Sequence, residues 1–265
     1  SFINGAIRTS EQEEMVKLLR KKSELVVAFG SCAHIGGIPG LGNFSNRREI
    51  FDYLYSKIPS VANPKKIKPQ INIKYDDYKL ELPKFYDTVK TLDQTVEVDY
   101  YLPGCAPPPD LIMDAINAIL KGELPEKGAV LAPDKSLCDT CPRNDSKPEK
   151  LMMSEIKRPY EVEIDPKKCF LEEGIICLGP ATRSGCGERC INANMACRGC
   201  FGPIDGVSDF GARSLSVIAS ILGVENEDKM TDEDIQKIAD KILDPAGLFY
   251  MYSLPSSLLR RKIMP

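Results

Sequence analysis

Apolar residues in the first 125 positions alternate between runs of strand length and stretches of helical period. FINGAI is a short apolar run. Ser10-Glu11-Gln12-Glu13 behind it has the form of a capping box, in which the Ser10 and Glu13 side chains each satisfy an orphan amide. Met15, Leu18 and Leu19 then share one helical face, and Arg20-Lys21-Lys22 follow where cations suit the helix dipole, so the spacing predicts a helix over 10–22. Leu25-Val26-Val27-Ala28-Phe29 is continuously apolar and stops at glycine, the form of a strand buried on both faces of a parallel sheet. A further strand is predicted at Val96–Leu102, and after Pro107-Pro108-Pro109 a helix carries Ile112, Ile116 and Ile119. This alternation implies a doubly wound parallel α/β unit.

Beyond it the rhythm changes. Residues 56–95 are rich in lysine and proline and read as a surface insertion, while from 126 to 205 periodicity gives way to cysteine, glycine, proline and arginine, a region that a metal would organise. Val207–Leu222 is predicted helical, a second helix starts at Thr231 with acidic residues in its first turn, and Pro245 closes it. The tail GLFYMYSLPSSLLRRKIMP is apolar with a basic end and reads as a docking segment.

Charge excludes one class of partner. With 35 basic against 38 acidic residues the net charge is −3, and no basic block is present to track a nucleic acid. No apolar run approaches the roughly 18 to 20 residues needed to span a bilayer, and no signal-type start is visible, which points to a soluble, cytoplasmic, reducing compartment. The sequence opens without an initiator methionine, so a processed or truncated start is expected.

Ten cysteines and a single histidine carry the candidate chemistry. Cys32 and Cys105 are isolated, each just past the carboxyl end of a predicted parallel strand, the edge where open α/β sheets bind ligands. Gly104 and the string Gly36-Gly37-Ile38-Pro39-Gly40-Leu41-Gly42 give loops able to bring amides close to a bound group. The other eight fall into two sets of four, Cys138, Cys141, Cys169, Cys177 and Cys186, Cys190, Cys197, Cys200. Disulfides, zinc and iron–sulfur clusters are the three chemistries open to them. Four thiolates hold one zinc or one 4Fe-4S cluster, and each set has a single CxxC where zinc ribbons pair two, which leans toward clusters. Arg143, Arg183, Arg189 and Arg198 lie within a few residues of these cysteines, as suits an anionic group. No Ser-His-Asp set, Walker loop or paired catalytic carboxylates stand out.

GSCAHIGGIPGLGN, DYYLPGCAPPP, LCDTCPRN, CFLEEGIICLGPATRSGCGERC and ACRGCFGP, in that order, resemble the small subunit of nickel–iron hydrogenases, in particular the cytoplasmic methyl-viologen-reducing and deazaflavin-reducing types of methanogens. The tail LDPAGLFYMYSLPSSLLRRK is similar to the subunit type that works with heterodisulfide reductase. The resemblance implies a flavodoxin-like domain over 1–125, a cysteine-rich iron–sulfur domain with few regular elements over 126–205, and C-terminal helices with a docking tail over 206–265. It implies an electron relay rather than a catalyst, with the nickel–iron centre in a partner large subunit and a flavin or iron–sulfur acceptor such as heterodisulfide reductase.

By the same resemblance Cys32 and Cys105 are ligands of a proximal cluster, Cys186, Cys190, Cys197 and Cys200 hold a medial 4Fe-4S cluster, and Cys138, Cys141, Cys169 and Cys177 a distal one. Cys138 stands where many relatives have a histidine, and His34 is expected to be no ligand. The family's remaining proximal ligands belong to a CxxC in a first strand–loop–helix unit. FINGAIRTSEQ resembles the second such unit, so the first is expected to be missing from this sequence. A related redox subunit without hydrogen chemistry and a zinc-stabilised scaffold are the alternative readings.

Overall fold

A computed structural model describes residues 1–222 and 231–262. Strand β1 (Phe2–Asn4) leads into β2 (Ile7–Thr9) and helix α1 (Ser10–Lys22). The cap of α1 lies one residue earlier than the sequence suggests. Thr9 accepts the Gln12 amide at 3.3 Å and Gln12 Oε1 accepts the Thr9 amide at 3.0 Å, while Ser10 Oγ instead accepts from the Lys84 amide at 3.0 Å. The buried face also turns: Val16 and Leu19 reach the core, and Met15 and Leu18 are about half exposed.

Strand β3 (Val27–Phe29), helix α2 (Gly30–Ile35) and helix α3 (Arg47–Asp52) come next. A hairpin of β4 (Asn72–Tyr75) and β5 (Tyr78–Glu81) stands in the predicted insertion and is followed by β6 (Phe85–Lys90), β7 (Tyr100–Leu102) and α4 (Pro109–Lys121). β1, β3 and β7 form a parallel sheet in that order, with Phe2 beside Val27 and Val27 beside Tyr100, and Val130 extends it by a parallel bridge to Tyr101. Val26, Val27 and Ala28 have no exposed surface, as a strand covered on both faces requires. β7 is shorter than the predicted Val96–Leu102 because the Asp99 carboxylate itself accepts the Val26 amide at 2.8 Å, in place of the ladder's carbonyl. The α4 helix begins at a proline and ends at Gly122 in the left-handed region, φ +70°. Ile112, Ala115 and Ile119 face Val27, Tyr100 and Leu102.

Residues 126–205 are mostly turns, with one short helix, α5 (Arg189–Asn192). They nevertheless share a dense apolar cluster with α6 (Phe210–Ile221), α7 (Asp232–Ala239) and α8 (Pro245–Phe249): Leu137, Phe170, Leu171, Ile175, Leu178, Phe210, Ile218 and Phe249 are all buried in it. Pro245 opens α8 rather than closing the preceding helix, since Asp244 caps it through the Gly247 amide at 2.8 Å.

The tail folds back onto the sheet domain. Pro255 sits where a Cβ on Gly36 or Gly40 would approach its ring to 2.3 and 2.4 Å, so both glycines are required by the contact. The Gly37 amide donates to the Tyr252 carbonyl at 2.8 Å, and buried Asn43 donates to the Arg260 carbonyl at 2.9 Å. Residues 263–265 of the predicted docking segment lie outside the described residues. Among the described residues no helix is long and apolar enough to cross a membrane.

Candidate metal centres

All ten cysteines are free thiols. Cys32 lies in the first turn of α2 and Cys105 three residues past β7, so neighbouring parallel strands deliver both to one edge of the sheet. The Ser31 amide donates to the Gly104 carbonyl at 2.8 Å and ties the two loops together. Gly37, at φ +60°, lets the glycine loop close over the first thiol, since a Cβ there would meet Cys32 Sγ at 2.5 Å. Burial, then the charge of Cys105, pushes the Cys32 thiol up. His34 packs its ring on Tyr101, centroids 4.8 Å apart, and burial followed by the charge of Arg183 lowers it to about 4, so the imidazole is neutral near pH 7.

The second set gathers around α5. Cys186 precedes it, Cys190 lies within it, and the Cys197–Cys200 turn follows, with Gly199 at φ +90° held close under the Phe210 ring. Burial pushes Cys200 up to about 12, and the charges of Cys197, Cys186 and Cys190 push the same way, which is the mark of four thiols crowded together. Cys197 rises to about 11 by burial, opposed by its hydrogen bond with the Thr182 hydroxyl, 3.6 Å away.

Cys138, Cys141, Cys169 and Cys177 line a single pocket, walled by Leu137, Phe170, Leu171 and Ile191. Cys138 and Cys141 are positioned by a tight turn in which the Cys141 amide donates to the Cys138 carbonyl at 3.3 Å. The Cys169 amide donates to Ser146 Oγ at 2.8 Å. Burial drives Cys138 to about 12 and Cys177 well above its ordinary range.

The four arginines near these sets do different things. Arg143 lines the cavity, is 3% exposed, lies 4.1 Å over the Phe170 ring, and donates to the carbonyls of Asp165 and Lys168 at 3.0 Å and to Asn194 Oδ1. Among the described residues it has no carboxylate partner. Arg183 is equally buried but is paired with Asp134 and Asp205, and it clamps the backbone at Ala132, Pro133 and Pro203. Arg189 and Arg198 are exposed.

The three sets touch in series. Ser31, beside Cys32, donates its hydroxyl to the Cys200 carbonyl at 2.5 Å. At the other end the Cys197 amide donates to Cys177 Sγ at 3.3 Å. Sequence reasoning missed Ser31, Thr182, Lys147 and Tyr252, all set among the thiols: Lys147 lines the third cavity, and Tyr252 is raised to about 12 by burial and then by the charges of Cys200, Cys105 and Cys190. Only adjacency to a cysteine motif could have pointed to the first two.

The donor sets fit a polynuclear iron group. Four soft thiolates share the pocket of the third set, and burial makes an uncompensated thiolate costly there, so an electropositive core is what such a site binds well. Among the described residues no three His, Cys, Asp or Glu side chains converge as a single ion's shell would, with bonds of about 2.3 Å to sulfur. The third set instead lines one shared pocket.

Residues 1–119 match the family model described as NADH ubiquinone oxidoreductase, 20 Kd subunit. The chain is 41% identical over 266 residues to the F420-non-reducing hydrogenase iron-sulfur subunit of Archaeoglobus profundus, covering 99% of this chain and 80% of that protein. It is 38% identical over 261 residues to an F420-non-reducing hydrogenase subunit of Methanocaldococcus jannaschii, covering 98% and 79%. Among solved structures it is similar to part of an NAD+-reducing NiFe hydrogenase in the H2-reduced state, 27% identical, covering 47% of this chain and 65% of that one at a TM-score of 0.40.

Proposed function

The chain belongs to the family of F420-non-reducing hydrogenase iron–sulfur subunits, and from that premise we propose that its cysteines hold a line of iron–sulfur clusters carrying electrons away from a nickel–iron site in a partner large subunit. Cys186, Cys190, Cys197 and Cys200 hold a medial 4Fe-4S cluster, and Cys138, Cys141, Cys169 and Cys177 a distal one. Cys32 and Cys105 supply two ligands of a proximal cluster. The observation that carries this reading is the continuity of the sets: the Ser31 hydroxyl on the Cys200 carbonyl, then the Cys197 amide on Cys177 Sγ, link the sheet edge to the far cavity.

A bound 4Fe-4S cluster supplies a one-electron couple whose potential follows net charge, hydrogen bonds to sulfur and solvent access. The residues of this chain set those three variables. Apolar walls at Phe170, Leu171 and Leu178 exclude water, which opposes the more negative, reduced state. Against them, the Cys197 amide directs its N–H dipole at Cys177 Sγ, and Arg143 holds a fixed positive charge beside the last set. Both favour reduction, and Arg143 lets the distal end accept an electron more readily than it otherwise would. The work is assigned to the cytoplasm, and the acceptor to a flavin- or iron–sulfur-bearing protein of the heterodisulfide reductase type.

Metal analysis of the protein purified without oxygen tests the reading. About eight to twelve irons per chain with equal acid-labile sulfide, four to each cluster, is the expected result. About two zincs per chain with no sulfide would replace the relay by a scaffold.

A further inference from the structure

The β4–β5 hairpin leaves the sheet domain with nothing packed on its apolar side among the described residues. Its register is regular: Ile73 pairs with Leu80 and Tyr75 with Tyr78 across a two-residue Asp76-Asp77 turn, and the Leu82 amide donates to the Ile71 carbonyl at 2.9 Å. Cross-strand partners share a face and alternate residues return to it. Ile71, Ile73, Tyr75, Tyr78, Leu80 and Leu82 therefore all lie on one side, while Asn72, Lys74, Lys79 and Glu81 lie on the other. Exposure of the six apolar side chains runs from 46% at Ile71 to 71% at Tyr78. Such a stripe on a two-stranded hairpin, which is marginal in water by itself, marks an interaction surface.

Charge says what kind of surface covers it. Residues 57–84 carry seven lysines against three acidic residues, in a chain whose net charge is −3. Of the lysines, Lys68 is paired with Asp52 and Lys79 with Glu81. A second copy would bring two net-positive arms together. A bilayer would have to accept the tip, and the tip is two adjacent carboxylates, Asp76 and Asp77, which both hydrocarbon and anionic headgroups oppose.

We infer that the hairpin is a docking arm for another protein of the complex, one presenting an apolar strip flanked by carboxylates along the strands and a cation opposite Asp76-Asp77. The inference rests on the reading that this chain works in a hetero-complex, and it goes beyond that reading in assigning residues 71–82 to the contact. Strand alternation gives the contact its register, and the lysines give it a salt-sensitive approach.

The test uses the complex purified without oxygen with its co-expressed subunits, followed by size-exclusion mass measurement, iron analysis and amide hydrogen exchange. Tyr75→Ser with Leu80→Ser is expected to release a stoichiometric subunit on tenfold dilution while iron per chain stays unchanged. Leu120→Ser, on an exposed apolar side chain of α4 away from the arm, is expected to release nothing. In the unmodified complex, residues 71–82 are expected to exchange at least tenfold more slowly than in the isolated chain. An intact variant complex together with equal exchange in both states overturns the arm, as does a homodimer joined through it, or sedimentation of the chain with phosphatidylserine vesicles through these residues. Absence of iron from the unmodified protein defeats the relay reading alone, because the mass and exchange measurements do not depend on it.

Discussion

Cys32 and Cys105 stand at the rim of a parallel sheet whose two buried clusters contain no cysteine, whereas Cys177 and Cys197 are buried members of the apolar cluster that gathers Leu137, Phe170, Phe210 and Phe249. In the sheet domain, strand and helix burial completes the core and thiols are added at an edge. In the cysteine-rich part Cys177 and Cys197, both raised by burial, are among the groups that the core is built from. One region is expected to fold with or without metal, and the other to fold with it.

The largest expected effect breaks that comparison outright if it fails. Protein depleted of iron by chelation is expected to keep amide protection at Val26–Phe29 and Tyr100–Leu102 and to lose it across residues 137–200, as read by hydrogen exchange. Equal loss in both regions would make the two cores one cooperative unit. Next in size, Cys177→Ser buries a hydroxyl in the cavity wall and is expected to cost about 2 kcal/mol and the iron of one cluster, by denaturant titration and metal analysis. Cys105→Ser, at an exposed thiol, is expected to stay within about 0.5 kcal/mol.

Much of the sheet domain was legible because each of its elements is a repeat of one period. Leu25–Phe29 announced a covered strand, and the apolar face behind Pro109 announced α4. Where the sequence misled, a side chain had taken over a backbone role, as Asp99 does at the start of β7 and Thr9 at the start of α1. The hairpin was hidden in plain alternation, Ile71, Ile73, Tyr75 and then Tyr78, Leu80, Leu82, because lysine and proline made its surroundings look like a loop. The cysteine-rich core had no period to read: its elements are turns, and Arg143 meets Asn194 across fifty-one positions. The cysteines themselves could be sorted into sets, since chemistry there is carried by residue type and spacing, but the neutral or charged state of the four arginines' surroundings is purely three-dimensional.

Two smaller effects sharpen the comparison. Replacing Arg143 by glutamine is expected to lower the midpoint potential of the cluster at the third set by tens of millivolts, roughly 60 mV for each ~1.4 kcal/mol of lost attraction, in an anaerobic redox titration followed by electron paramagnetic resonance. Arg183→Gln, at a charge already matched by two aspartates, is expected to leave that potential in place and to lower stability instead. A further effect belongs to the sheet domain. Burial would raise Asp99, but Lys127, the Val26 amide and Arg20 outweigh it and hold the carboxyl at about 2, against 3.8 when free. A lowered folded-state pKa stabilises above the free value and is lost as pH falls through the folded one, so about 2 kcal/mol should disappear between pH 4 and 2. Asp99→Asn is expected to flatten that part of a pH–stability curve.

The strap formed by Tyr252, Pro255 and Arg260 over the glycine loop also has a meaning in time. A ribosome must add more than two hundred residues after Asn43 before Arg260 exists, a separation of 217 positions in the chain. The sheet and the Cys32 loop thus emerge well before the clasp that holds the loop. Closure of the first thiol's surroundings therefore waits until both cysteine sets downstream have been synthesised.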